Sequence, residues 1–119
     1  MFRDLVTSVE DLRAIIGGEP SEVARRKELQ ALDIHARTFI ARSPFLLLGT
    51  SSTDGRCDVS PKGDAPGFVR VLDDHHLLVP DRPGNKRLDG MRNILVNPHV
   101  LTFLTLKSIL HTVRRMQGC

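Results

Sequence analysis

Apolar positions recur at helical spacing through the first third of the chain and at strand spacing beyond it. Thr7-Ser8-Val9-Glu10 has the form of a capping box ahead of a short helix in which Val9, Leu12, Ile15 and Ile16 repeat with a helical period. Gly17-Gly18 stops that helix and Pro20-Ser21 opens the next. From Ser21 to about Arg42, the apolar residues Leu29, Leu32, Ala36, Phe39 and Ile40 share one face, which predicts a helix packed on the rest of the chain. His35 lies near that face, where a lone histidine is more often packed or at the surface than a ligand.

The pattern changes at Ser43-Pro44. Phe45-Leu46-Leu47-Leu48-Gly49-Thr50 reads as a buried strand, Thr53-Asp54-Gly55 as a hairpin turn, and Arg56 to Ser60 as the returning strand. Pro61 to Gly67 is rich in turn residues and reads as a loop. Phe68 to Leu72 and His76 to Val79 form a second predicted hairpin around Asp73-Asp74. After the Pro80 to Asn85 loop, a helix is expected from about Lys86 to Val96, with Leu88, Met91, Ile94 and Leu95 on its apolar side. Asn97-Pro98 ends it, because proline disfavours a helical residue before it. His99 to Leu106 reads as a strand. Many short strands with short connections predict an antiparallel barrel or sandwich. Lys107 to Cys119 has helical spacing at Ile109, Leu110, Val113 and Met116, and a strand reading is also open.

At 119 residues the chain has room for one domain with a real core. With 40% hydrophobic and 26% charged residues, a globular protein is expected. Five Phe with no Trp or Tyr leave few stacking platforms, so a single-stranded nucleic-acid partner is not expected. The net charge of +3 suits an anionic ligand but forms no long block. Two cysteines, Cys57 and Cys119, make no disulfide framework and no CxxC pair, which favours a reducing compartment. No stretch has the form of a signal peptide or approaches the length of a membrane span, so the expected location is cytoplasmic, with no membrane partner.

The chemistry concentrates in Pro80-Asp81-Arg82-Pro83-Gly84-Asn85-Lys86-Arg87. Gly and Pro shape a backbone that a ligand can approach closely. Lys86 and Arg87 are expected at a helix start, where free backbone N–H groups and the helix dipole already favour an anion. A phosphate is the natural occupant; a solvated turn with two surface cations is the plain alternative. Lys62, in the loop after another strand, is a candidate third cation, or simply a solvated loop lysine. The string lacks the Gly-Lys-Ser/Thr ending of a P-loop. His75-His76 would point to opposite faces of a strand, the acids Asp73, Asp74, Asp81 and Asp89 show no metal spacing, and no serine sits in a nucleophile elbow. No metal site and no catalytic acid or base is assigned.

Several motifs stand in one order: Phe45 to Thr50, Asp54-Gly55, Asp58-Val59-Ser60-Pro61-Lys62-Gly63-Asp64, Pro66-Gly67-Phe68-Val69, Pro80 to Arg87, and Asn93 to Pro98. Together they resemble the pyridoxamine 5′-phosphate oxidase-related, FMN-binding split-barrel family, in its bacterial branch with Ser-Pro-Lys/Arg-Gly-Asp and Pro-Gly-Asn-x-Arg loops. The resemblance covers roughly Ser21 to Phe103. It implies a mainly β fold with flanking helices, an antiparallel split β-barrel, in a single domain over 1–119 with an N-terminal helical segment, 1–42. It also implies a homodimer with FMN at the subunit interface. By the same resemblance, Asn85, Lys86 and Arg87 contact the FMN phosphate. Val79, Pro80 and Asp81 run beside the flavin through backbone groups, and Lys62 adds positive charge. Members usually continue further. Thr112-Val113-Arg114 echoes a family strand, Arg115 to Cys119 departs from it, and the barrel is therefore expected to be incomplete, with open edges. The function implied is an FMN-dependent oxidoreductase acting on a small-molecule substrate that fold membership does not name. The alternative is a non-catalytic flavin-binding or cofactor-free dimeric split-barrel protein.

Overall fold

β1 (Phe45–Ser51) is the strand around which the sheet is built, because it is hydrogen-bonded along both edges. A computed structural model of the chain describes residues 5–106. Within it, β2 (Cys57–Gly63) and β5 (Leu101–Thr105) flank β1 in the order β2-β1-β5, both antiparallel to it. Two short strands, β3 (Arg70–Val71) and β4 (Leu77–Leu78), pair separately as an antiparallel ribbon. All three pairings are antiparallel, as the patterning predicts. Among the described residues the strands do not close into a barrel. The ambiguous segment Lys107 to Cys119 lies outside the described residues.

The chain divides into two compact units, Met1–Gln30 and Ala31–Cys119. In the first, α1 (Val9–Ile16) is capped one residue later than the capping box predicts. Ser8, not Thr7, is the N-cap, and its Oγ accepts from the Asp11 N–H at 3.0 Å. Gly17 ends the helix in the left-handed conformation (φ 99°), as its position predicts.

The single helix expected from Ser21 to Arg42 is instead two: α2 (Glu22–Arg25) in the first unit and α3 (Ile34–Arg42) in the second. Asp33 is the physical reason for the break. Its Oδ1 accepts from the Ala36 N–H at 2.7 Å and so starts a new helix at that point. The Leu32 N–H, which a continuous helix would need for itself, is donated at 2.9 Å to the Asp74 carbonyl in the β3–β4 turn. Arg37 pairs with the Asp74 carboxylate and holds α3 to the same turn. Of the face read from sequence, Ile40 is buried and Leu32 is partly buried, while Leu29 and Phe39 stay exposed.

The core cluster of the second unit is small: Ile40, Leu46 and Val69, with Leu48, Phe68, Val79 and Leu104 partly buried against it. The register explains which sheet face it uses. Leu46 stands opposite Lys62 and Leu104, and Leu48 opposite Ser60 and Thr102, so these residues share one face. α4 (Asp89–Val96) lies against that face. It is fixed by Asn93 Nδ2 donating to Thr50 Oγ1 at 3.0 Å and by Asn97 Nδ2, at its C-cap, donating to Ser51 Oγ at 2.9 Å.

Two further corrections concern boundaries. Pro61-Lys62-Gly63 belongs to β2 and not to a loop: Pro61 stands opposite Leu47 in register. β2 is an edge strand, where a missing N–H is tolerated on the outer side. α4 begins at Asp89 and not at Lys86. Leu88, its N-cap, is left-handed (φ 61°) and offers no side-chain cap.

Gly67 meets the tightest steric demand among the described glycines. It has φ +81°, and a Cβ there would lie 2.9 Å from the Ala41 carbonyl oxygen. Gly55 has a similar φ of +85° with nothing within 4 Å. Gly67→Ala should therefore cost about 1–3 kcal/mol, and more than Gly55→Ala, in chemical denaturation. Equal losses would show that the α3 carbonyl yields and that only the positive φ matters.

Candidate functional site

All seven residues assigned to a cofactor by resemblance (Lys62, Val79, Pro80, Asp81, Asn85, Lys86 and Arg87) line one open cavity of about 1180 Å³ in the second unit. Its inner wall is apolar, with Leu48 on β1, Phe68, Val79, and Met91 and Ile94 on α4. Its rim carries four cations, Lys62, Arg82, Lys86 and Arg87, and four carboxylates, Asp58, Asp64, Asp81 and Asp89. β2 supplies Lys62 from the face that also carries Leu46 and Leu48 in register. β2 also supplies Asp58, the residue after it is Asp64, the segment between β4 and α4 supplies Asp81, Arg82, Lys86 and Arg87, and α4 supplies Asp89.

Three of the four cations are already paired. Lys62 Nζ donates to Asp81 Oδ1 at 2.7 Å, and its side chain is only 20% exposed. Arg82 pairs with Asp64, and Arg87 Nε lies 2.9 Å from Asp89 Oδ2. Among the described residues, Lys86 has no carboxylate partner. Sequence reasoning missed Asp64, Arg82 and Asp89 as members of the rim. The signal was present in alternation: Lys62 and Asp64 lie two apart, opposite in charge to the neighbours Asp81 and Arg82.

Lys86 and Arg87 precede the helix rather than opening it, which corrects the expected placement. Lys86 itself is left-handed (φ 63°), as is Leu88. Such a conformation costs a non-glycine residue roughly 1–3 kcal/mol and persists only where the surroundings impose it. Here Asn85 Oδ1 accepts from the Arg87 N–H at 3.1 Å, and the Leu88 carbonyl accepts the Arg92 N–H at 2.8 Å. The two cations are thus held in a shaped turn over the cavity, with Lys86 and Arg87 exposed.

The geometry fits a phosphorylated, partly apolar ligand such as FMN. The apolar wall suits a flat ring system, and the Asn85–Arg87 turn suits a phosphate, which Arg87 can grip bidentately and Lys86 as a point charge. His76, singled out in sequence, lies in the β3–β4 turn with Nδ1 2.8 Å from Asp73 and does not line the cavity.

A family model for pyridoxamine 5′-phosphate oxidase matches residues 32–117. It starts inside the segment that resembled this family in sequence and runs past Phe103. The chain therefore belongs to the pyridoxamine 5′-phosphate oxidase family, whose members generally bind the flavin FMN. Neither the curated proteins nor the solved structures yield a match. Among the described residues no helix is long and apolar enough to cross a membrane.

The paired rim acids carry a pH prediction. Lys62 holds the Asp81 carboxyl below its ordinary value of 3.8. The Ala65 backbone N–H, then Arg82, do the same for Asp64. A carboxyl lowered in the folded state stabilises it above the unfolded pKa, and the contribution is lost as pH falls through the folded value. The two ties should hold at neutral pH and loosen only on acidification below 3.8. Carboxyl carbon shifts followed by NMR should titrate below 3.8 at both residues. Titration at or above that value would mean the pairs do not persist in solution.

Proposed function

We propose that this chain binds FMN in the cavity between β2, the 79–88 segment and α4, and serves as a flavin-dependent oxidoreductase on a small-molecule substrate. One observation carries the reading: residues assigned to the flavin by resemblance, from separate parts of the sequence, line a single cavity with an apolar wall and a cationic rim. Asn85, Lys86 and Arg87 hold the phosphate. Val79, Pro80 and Asp81 run beside the ring, and Lys62 adds positive charge at the rim. FMN, when bound, supplies the electron-transfer chemistry, while the chain supplies binding, orientation and electrostatics. A non-catalytic flavin carrier is the second reading. It is favoured by the rim's carboxylates, three of which, Asp64, Asp81 and Asp89, are tied to cations.

The same reading includes a homodimer of incomplete split barrels. The sheet face opposite α4 supports the dimer. In register, Gly49 stands between Val59 and Leu101, and Leu47 between Pro61 and Phe103. Val59, Leu101 and Phe103 are each more than 60% exposed, an apolar face that a second copy would cover. Such an interface should bury more than about 1,000 Å² in total, and sedimentation should show a dimer. Monomer alone across a wide concentration range counts against it.

The purified protein should be yellow, with a flavin absorption spectrum. In a flavin titration, Arg87→Ala should weaken FMN binding about tenfold, or ~1.4 kcal/mol. Arg25→Ala should leave it unchanged, because Arg25 lies on α2, pairs with Glu19 at 3.6 Å and does not line the cavity. Equal affinities for the two variants would remove Arg87 from the phosphate site.

A further inference from the structure

Arg82 and Asp64 belong to the rim, yet their charges satisfy each other. Beside them, Lys62 and Asp81 do the same. The two pairs alternate in sign. β2 and the residue following it present a cation at 62 and an anion at 64, and the facing segment presents an anion at 81 and a cation at 82. Each pair alone is an ordinary surface ion pair of small effect. Acting on adjacent residues, they fix both the position and the direction of the chain as it leaves Pro80. Pro83 and Gly84 follow at once, and then come the left-handed Lys86 and Leu88. Within the turn the contacts are local: Asn85 with the Arg87 N–H, Arg87 with Asp89, and the Leu88 carbonyl with the Arg92 N–H; beyond it α4 is tied to β1 through Asn93 and Asn97. Among the described residues, the side-chain ties from the 81–88 segment itself to β2 and the residue following it are the two pairs at residues 81 and 82.

We propose that Asp64 and Arg82, together with the Lys62–Asp81 pair, are positioning residues that latch the 81–88 segment to β2 and so hold Asn85, Lys86 and Arg87 in the geometry that takes a phosphate. The proposal rests on the flavin-phosphate reading above. It makes a prediction opposite in sign to simple charge counting. Removing two rim carboxylates makes the cavity more positive and by Coulomb attraction alone should tighten binding of an anion. If the carboxylates are a latch, removing them should weaken it.

The test is the full-length chain carrying Asp64→Asn and Asp81→Asn together, which leaves all four rim cations in place. FMN affinity should fall at least fivefold, and riboflavin, which lacks the phosphate, should change less than twofold. Without flavin, tryptic cleavage after Lys86 and Arg87 should become at least threefold faster, because the strained turn is released. Asp64→Arg combined with Arg82→Asp, which reverses one pair, should bring cleavage back to within twofold of the unsubstituted chain, whereas Arg82→Asp alone should not. FMN binding that tightens or stays constant in the double Asn variant overturns the latch. So does an unchanged cleavage rate. If cleavage accelerates as expected but the unsubstituted chain takes up no FMN, the latch stands and the flavin reading falls.

Discussion

The rest of the second unit depends on β1 being paired along both edges. A strand so placed has its backbone groups satisfied within the sheet and leaves no edge to solvent. Its Leu46 is fully buried, and its two partners are positioned from it: β2, which carries Lys62 to the cavity, and β5. Ser43, buried at the entry to the strand, has its hydroxyl within hydrogen-bond distance of the Thr105 carbonyl at 2.6 Å and the Phe45 carbonyl at 3.0 Å. One side chain therefore ties the end of α3 to the start of β1 and the end of β5. Thr50 and Ser51, at the other end of the strand, receive the amides of Asn93 and Asn97 and so set where α4 lies. The cavity is the space left between these fixed parts.

Charge around that cavity is almost balanced, and this changes how an anion site there must work. An unpaired cluster of four cations would attract any anion, and its members would also repel one another. Pairing three of them to carboxylates removes the repulsion and orders the side chains before a ligand arrives. On the reading proposed above, a phosphate would compete with Asp89 for Arg87, while Lys86, exposed and without a carboxylate partner among the described residues, would be open to it. The left-handed backbone at Lys86 and Leu88 belongs to the same segment and carries a local energetic cost.

The buried core is small for the apolar content of the chain. Three residues form its centre, while Leu95, Leu101, Phe103 and Val59 lie largely exposed on α4 and on the outer sheet face. Burial of apolar area contributes about 25 cal/mol per Å², so covering these residues is a substantial source of stability that the described residues alone do not use. On the outer sheet face, where Val59, Leu101 and Phe103 lie, this is the physical basis of the partner surface proposed above.

What the sequence determined by itself was local. The apolar run Phe45 to Thr50, the Asp54-Gly55 turn and the Gly17 and Asn97-Pro98 stops were legible because each depends on near neighbours, through side-chain alternation, positive φ or steric exclusion. The family was legible as well, from the order of its motifs. The break at Leu32-Asp33 was legible only in its local half: Asp33 caps a new helix within its own sequence, but the Leu32 N–H is taken by the carbonyl of Asp74, some forty residues away in sequence. The extension of β2 through Pro61 was not legible, since a proline reads as a loop until the strand is known to be an edge. The start of α4 at Asp89 and the pairing of Lys62 and Arg82 with acids on facing segments were decided only in three dimensions. Hydrogen-bond and charge partners there come from distant segments, and a linear pattern records a residue's character but not which residue it will face.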